Sequence, residues 1–213
     1  VRLAHAAVVL AAGGSVRLGQ PKQLLTRHGE TLVRRATRLV LESGASRVLV
    51  IGGARVDDIH SAVDDLPIEL LVNAEWQEGL ASSLRIAACA LARHDAPTLI
   101  VGCDQPLLEA SDLSALLASA VSATSGCAVT RHAGRPGIPV VLSPSLLRTA
   151  HSLRGDRGFR DILDALPQDG LAWHEAPALA HDLDTPADVA HAVAQGWLDP
   201  PRPFANHDAP PGD

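Results

Sequence analysis

Leu10-Ala-Ala-Gly-Gly-Ser-Val-Arg-Leu-Gly-Gln-Pro-Lys-Gln-Leu-Leu25 decides the fold, because the apolar run Ala6 to Ala12 leads straight into it, as a buried strand leads into a glycine-rich turn. Lys22 is the only lysine in the 213 residues, and every other fixed positive side chain is an arginine. The small residues Ala11 to Ser15 allow a ligand close to the backbone, and Arg17 and Lys22 are in reach of the same anion. Such a loop suits a polyphosphate surrounded by amides and two cations. It is not a P-loop, since Lys22 lies eight or more residues from Gly13 and Gly14 and is followed by Gln23. Nor does it have the G-x-G-x-x-G spacing of dinucleotide folds. The competing reading is a flexible turn with both cations facing solvent.

Outward from this loop, short apolar runs alternate with helical patterns. Arg47 to Ile51, Glu69 to Val72, Thr98 to Gly102, Gly126 to Thr130 and Leu171 to Glu175 read as further strands. Thr31 to Ser43, stopped by Gly44, is a helix with Leu32, Ala36, Leu39 and Val40 on one face. Val56 to Val63, Ser82 to Ala92 and Ser111 to Ser122 are further helices. The order predicts an α/β fold: a Rossmann-like, doubly wound, mostly parallel sheet flanked by helices, with ligands at the carboxyl ends of the strands. After Thr130 the rhythm changes. Arg135 to Leu142 reads as a turn and an extended segment, followed by a short helix from Pro144 and another to about Leu166, a small β/α elaboration at one end of the sheet. A last helix follows His181-Asp-Leu-Asp-Thr-Pro186 and ends near Gly196. Residues 1–198 are expected to form one domain, and the Pro-rich stretch 199–213 a flexible tail.

Composition narrows the possibilities. With 46% hydrophobic residues but no Met or Tyr, the core must come from Ala, Val, Leu and Ile, as in parallel sheets. The net charge of −6, without a basic patch, argues against nucleic-acid binding, and no apolar run is long enough to span a membrane. A soluble, cytoplasmic protein is expected. Cys89, Cys103 and Cys127 lack zinc or redox spacing and read as reduced, mostly buried residues; Cys103 draws notice only because it precedes Asp104. Of the ten scattered histidines, His181 beside Asp182 stands out, most simply as a structural residue.

Three other segments point to the same end of the sheet. Leu99 to Leu107 is an apolar strand ending in Asp104 and cut off by Pro106; a carboxylate there suits Mg²⁺ held against phosphate oxygens, though it could instead cap the helix from Ser111 or fix the turn. Asp182 and Asp184 lie two apart, and one of them could complete the metal site, while Asp184 or Thr185 could equally cap a helix with Pro186 at its first position. Gly79, Ser82 and Ser83 follow the third strand where backbone and hydroxyl groups could read the edge of a base, although a helix cap also explains Ser82.

Together, L-A-A-G-x-S-x-R-x-G-x-P-K-x-L-L, N-x-x-W-x-x-G-x-x-x-S, D-Q-P, R-P-G-x-P, G-D-x-G-x-R and D-x-D-T-P resemble the molybdenum cofactor nucleotidyltransferase family, from about Leu10 to Val193. Ala12, where guanylyltransferases usually have a second glycine after Leu-Ala, and Gln105, where they usually have Met, favour the cytidylyltransferase branch. The resemblance implies CMP transfer from CTP to the terminal phosphate of molybdopterin, with Mg²⁺ and release of pyrophosphate. Leu10, Ala11, Ala12, Gly13, Gly14 and Ser15 would line the nucleotide, with Gly79, Ser82 and Ser83 at its base. Arg17 and Lys22 would hold the phosphates, Asp104 and Asp184 the metal. Arg135, Gly137, Pro139, Gly155, Asp156 and Arg160 would lie at the acceptor, where Ile138 departs from the usual His of G-H-P. A recipient molybdoenzyme is the expected transient partner. Alternatives are a guanylyltransferase, a sugar-phosphate nucleotidyltransferase, a carrier of the finished cofactor, or a hydride-transferring Rossmann enzyme.

Overall fold

The computed structural model describes residues 3–132, 134–167 and 170–200. In chain order the elements are β1 (Ala6–Ala11), β2 (Thr26–Arg27), β3 (Glu30–Thr31), α1 (Leu32–Glu42), β4 (Arg47–Gly52), α2 (Val56–Val63), β5 (Glu69–Val72), α3 (Leu80–Ala90) and β6 (Thr98–Gly102). They continue as α4 (Ala110–Ser122), β7 (Cys127–His132), β8 (Arg135–Leu142), α5 (Pro144–Arg148), α6 (Arg160–Asp164), β9 (Leu171–Glu175) and α7 (Pro186–Ala194).

Seven strands form one sheet in the order β5-β4-β1-β6-β8-β7-β9, parallel throughout except for β8, which runs against both β6 and β7. Along β1, Ala7, Val9 and Ala11 turn to one face and Ala6 and Val8 to the other, all buried. That strict alternation lets one apolar run serve two cores. The first core receives Val33 and Ala36 of α1, Ile59 of α2 and Leu113 of α4; the second receives Leu84 of α3, Leu147 of α5 and Leu163 of α6. The chain leaves β1 toward β4 and β5 on one side and returns to β6 on the other, so the switch of direction lies between β1 and β6. A crevice opens there, at the carboxyl ends of the strands.

The expected α/β fold is the one observed. The segment read as extended is an eight-residue strand inside the sheet, so the elaboration is joined to the main sheet by β8. Its two prolines disguise it. Val129 pairs with Val140 and Thr130 with Gly137, so Ile138 and Pro139 fall in an irregularity where no ladder N–H is needed. Helix α3 begins at Leu80, not Ser82, because Gly79 takes the N-cap position at φ 114°. Among the described residues no helix is long and apolar enough to cross a membrane.

A third cluster, Leu18, Leu25, Leu32, Leu183, Val189, Ala192 and Leu198, packs the end of the glycine-rich loop against α7 and the segment before it. Beside it, β2 and β3 form a small hairpin that the sequence reading did not foresee, turning through His28 and Gly29 at φ 54° and 79°. Asp199 closes this clasp: its N–H donates to the Thr26 carbonyl at 2.8 Å, and its carboxylate accepts from the N–H groups of His28 and Gly29 at 2.9 and 2.7 Å. Residues 201–213 of the expected tail lie outside the described residues.

These bonds, that from Gly29 foremost, hold the Asp199 carboxyl below the ordinary aspartate range. A lowered folded-state pKa gives stability that is full above the unfolded pKa, ~4, and is lost as pH falls through the folded value. Asp199→Ala is therefore expected to cost about 1 kcal/mol in urea unfolding at pH 7, after discounting for exposure, and the difference should vanish in acid. An equal deficit at every pH would assign the loss to something other than the carboxylate.

Candidate functional site

The glycine-rich loop is held from beneath by a residue without a role in the motif reading. Gln23, in the 3-10 turn Lys22–Leu24, is 1% exposed, and its Nε2 donates to the carbonyls of Ala11 at 2.9 Å and Gly13 at 2.5 Å. Its Oε1 accepts from the Ser15 hydroxyl at 3.3 Å, while the Ser15 oxygen accepts from the Lys22 N–H at 3.1 Å. One amide thus ties the end of β1, the turn and the backbone of Lys22 together. The ring of Trp76 closes over Gly14, where a Cβ would come within 2.7 Å of it.

The charged centre forms where three distant segments meet. Lys22 Nζ donates to Asp104 Oδ2 at 2.7 Å and to Asp184 Oδ1 at 3.1 Å, and Arg17 reaches Asp184 Oδ2 at 3.0 Å. The Lys22 side chain is 19% exposed and that of Arg17 73%. Burial works against the Lys22 charge, but Asp104 first and Asp184 with it outweigh that cost and hold the ammonium pKa above the usual lysine range. Lys22 is therefore held as the cation at neutral pH.

Local structure explains why both carboxylates are available. Helix α4 is capped by Glu109 and Asp112, which excludes Asp104 as its cap. Asp104 folds back over the end of β6, its Oδ1 2.5 Å from where a Cβ on Gly102 would stand, so only glycine allows this approach. Helix α7 is capped by Thr185 with Asp188 completing the box and Pro186 at the first turn, so Asp184 is not consumed as the cap. It is Asp184, of the pair considered, that meets Lys22. Two hard oxygen donors converging from separate segments fit Mg²⁺ or Mn²⁺, which take few protein ligands and complete their shells with water and phosphate oxygens. Cys103 is no nucleophile: it is buried, its Sγ–H donates to the Leu10 carbonyl at 3.4 Å, and burial pushes its thiol pKa up to about 12. Cys89 is exposed and Cys127 buried, and all three thiols are free. His181 packs its ring on Trp197 at 4.9 Å.

Two cavities open at this end of the sheet. The first, about 420 Å³, is lined by Leu10, Ala12, Gly13, Gly14, Ser15, Arg17, Lys22, Gly79, Ser83 and Asp184 of the expected residues, joined by Trp76, Gln77 and Leu80. Ala11 and Ser82 do not line it. Ala11 faces the core, and the buried Ser82 hydroxyl donates to the Gly79 carbonyl at 2.8 Å while accepting from Asn73 Nδ2 at 2.8 Å. Asn73 also donates to the Ser83 hydroxyl at 2.9 Å. The second cavity, about 400 Å³, shares Leu10, Leu80 and Asp156 with the first and extends over Gly137, Ile138, Phe159 and Arg160. Arg135, Pro139 and Gly155 do not line it. Arg135 is exposed, the Pro139 carbonyl accepts from the buried Thr130 hydroxyl at 2.8 Å, and the Gly155 carbonyl accepts from the Ala81 N–H at 2.9 Å. Gln105 lines neither cavity, its Nε2 donating to the carbonyls of Ile138 at 3.0 Å and Leu179 at 2.9 Å.

Comparison with known proteins gives this geometry a family. Residues 7–170, from β1 to the approach to β9, match the MobA-like NTP transferase domain. The chain belongs to that family. Among curated relatives, it is 32% identical over 167 residues to a nicotine blue oxidoreductase of Paenarthrobacter nicotinovorans, covering 75% of this chain and 81% of the relative. It is 32% identical over 166 residues to a probable molybdenum cofactor guanylyltransferase of Opitutus terrae, covering 76% and 79%. It is 24% identical over 193 residues to the molybdenum cofactor cytidylyltransferase of Escherichia coli, covering 87% and 93%. Of solved structures, a nucleotidyl transferase from Methanothermobacter superposes with a TM-score of 0.75 at 23% identity, over 91% of this chain and 97% of that one, which shows the shared fold. A Mycobacterium tuberculosis protein described as a complex with manganese gives 0.72 at 20% identity, over 90% and 98%.

Within this MobA-like framework, Gln23 is the residue that motif reading passed over, while Asn73 and Trp76 stand in the N-x-x-W-x-x-G-x-x-x-S motif without a role assigned to them. Gln23 was adjacent to the lone lysine, but its value lies in two carbonyls that only folding brings to it. Gln23→Leu is expected to cost about 1–3 kcal/mol in chemical denaturation by leaving those carbonyls unpaired, and Gln23→Glu more, because a carboxylate would face them. Wild-type stability in both variants would show that the amide does not hold the loop.

Proposed function

We propose that this protein transfers CMP from CTP to the terminal phosphate of a molybdopterin-type acceptor, releasing pyrophosphate. The observation that carries the reading is the Lys22, Arg17, Asp104 and Asp184 cluster, set beside a loop-lined cavity that shares a wall with a second one. Donor and acceptor could then lie in adjoining chambers with the charged groups at one end of the first, an arrangement suited to reaction by positioning.

An acceptor phosphate monoester has its second pKa near ~6 and is largely a dianion at neutral pH, so no general base is needed. Its oxygen attacks the α-phosphorus of CTP, a new phosphoanhydride forms, and the bond to the pyrophosphate oxygen breaks. Lys22 offsets the charge that develops on the departing pyrophosphate, and the exposed Arg17 can leave Asp184 to clamp the outer phosphates. Asp104 and Asp184 would hold a divalent cation, which supplies charge neutralisation to the phosphate oxygens. The preference for cytidine rests on Ala12 and the E. coli relative; Gln105, turned to the carbonyls of β8 and the segment before α7, gives it no direct contact. The Opitutus relative keeps GTP as the alternative donor.

A second reading rests on the Paenarthrobacter relative, whose name describes an oxidoreductase. In that reading, a dinucleotide would place its pyrophosphate on Lys22 and Arg17, and the apolar walls of Ile138 and Phe159 would take an organic substrate.

Pyrophosphate release measured with CTP, GTP, ATP and UTP, each with Mg²⁺ and with or without molybdopterin, separates these readings. Release that depends on CTP and molybdopterin is expected. Binding of NAD without pyrophosphate release would favour hydride transfer, and release with a sugar phosphate alone would change the acceptor. Lys22→Ala should lower kcat by ~10²- to 10³-fold, with a much smaller effect on thermal stability. An equal loss of folding and activity would contradict the role given to Lys22.

A further inference from the structure

We infer that Lys22 is a tethered stand-in for the divalent cation, so that the metal gains full access to Asp104 and Asp184 only when a polyphosphate draws the ammonium away. This inference rests on the nucleotidyl-transfer reading of the site. The ammonium touches both carboxylates, at 2.7 and 3.1 Å, and so stands where a cation bridging them would stand. With Arg17 on Asp184 at 3.0 Å, two side-chain cations balance two carboxylates. A divalent ion added to this balanced cluster meets an ammonium only a few ångströms away, and charges that close repel strongly at a partly buried position.

A triphosphate changes the balance. It brings new acceptors into the cavity that Lys22, Arg17 and Asp184 already line, so the ammonium has somewhere to go without a change of backbone. The backbone is fixed for that exchange: the Lys22 N–H is held by Ser15, and Gln23 holds the carbonyls of Ala11 and Gly13. Only the flexible side chain of Lys22 need move, passing from the carboxylates to phosphate oxygens. The carboxylates are thereby uncovered when there is a phosphate for the metal to bridge. Metal affinity and nucleotide affinity become coupled, each raising the other, as reciprocity requires.

Mn²⁺ binding to nucleotide-free protein, read from the electron paramagnetic resonance of the free ion, tests this in wild type, Lys22→Met and Lys22→Arg. Lys22→Met is expected to bind Mn²⁺ at least ~10-fold more tightly than wild type, and the charge-conserving Lys22→Arg within ~3-fold of it. Equal affinity in wild type and Lys22→Met would overturn the inference. A second readout needs no substitution, because one lysine gives one signal. In protein labelled with ¹³Cε-lysine, Mn²⁺ alone at low concentration should leave the Lys22 resonance sharp, and CTP with Mn²⁺ should shift and broaden it. Strong broadening by Mn²⁺ alone would also overturn it. Failure of every nucleoside triphosphate to release pyrophosphate would remove the transferase reading but leave the Mn²⁺ affinities as measured, so the two failures are distinguishable.

Discussion

One ammonium shared by two carboxylates is the contact on which the arrangement of the site depends. Lys22 reaches Asp104 across 82 residues of sequence and Asp184 across 162, and each partner arrives on a different support. The loop after β1 carries the lysine, the end of β6 carries the first aspartate, and the turn into α7 carries the second. The two aspartate segments are also joined directly, the Leu183 N–H donating to the Asp104 carbonyl at 3.2 Å. Together the three segments close the crevice that the reversal of strand order opens between β1 and β6. The apolar cluster of Leu18, Leu25, Leu183 and Val189 backs the contact, because it fixes the far end of the loop against the very segment that delivers Asp184.

What could be read in the sequence was whatever is encoded locally. The unbroken apolar run of β1, the turn that follows it and the strand ending in Asp104 each announce themselves within a dozen residues, and the alternation of strands and helices leaves little choice but a parallel sheet. The D-x-D-T-P segment shows why local reading stops short. Its capping chemistry and its carboxylates suggested two roles, and only the fold divides them, with Thr185 as cap and Asp184 turned to Lys22. Ser82 went the other way: its hydroxyl, available in the sequence, is consumed by the Gly79 carbonyl and Asn73. Strand β8 was half concealed by Pro136 and Pro139, because the irregularity that spares Pro139 its missing N–H, two unpaired residues of β8 opposite the Val129–Thr130 step, appears only when β7 pairs with it. The clasp at Asp199 and the anchoring by Gln23 are contacts to backbone groups, which no residue pattern marks.

The two cavities divide the chemistry unequally. The loop cavity combines small residues with fixed cations and suits an anion whatever base is attached to it, whereas the second is walled by Leu84, Ile138, Phe159 and Leu163 with arginines at its edge. In the proposed reading the triphosphate lies against the charged cluster. In the same reading the acceptor lies in the second cavity, whose shape Ile138 helps to set. Relatives at 32% identity carry names as different as guanylyltransferase and oxidoreductase, so function must be argued from the site and not from the fold.

The most direct measurement is anomalous diffraction from crystals of the protein with Mn²⁺ and a non-hydrolysable CTP analogue. The expected result is a single manganese peak bonded to Asp104 and Asp184, with triphosphate along the loop from Ala12 to Arg17 and Lys22 Nζ on its oxygens. Triphosphate bound elsewhere, or bound here with Lys22 still bridging the two aspartates and no metal between them, would contradict the assignment of this cluster as the metal-triphosphate site.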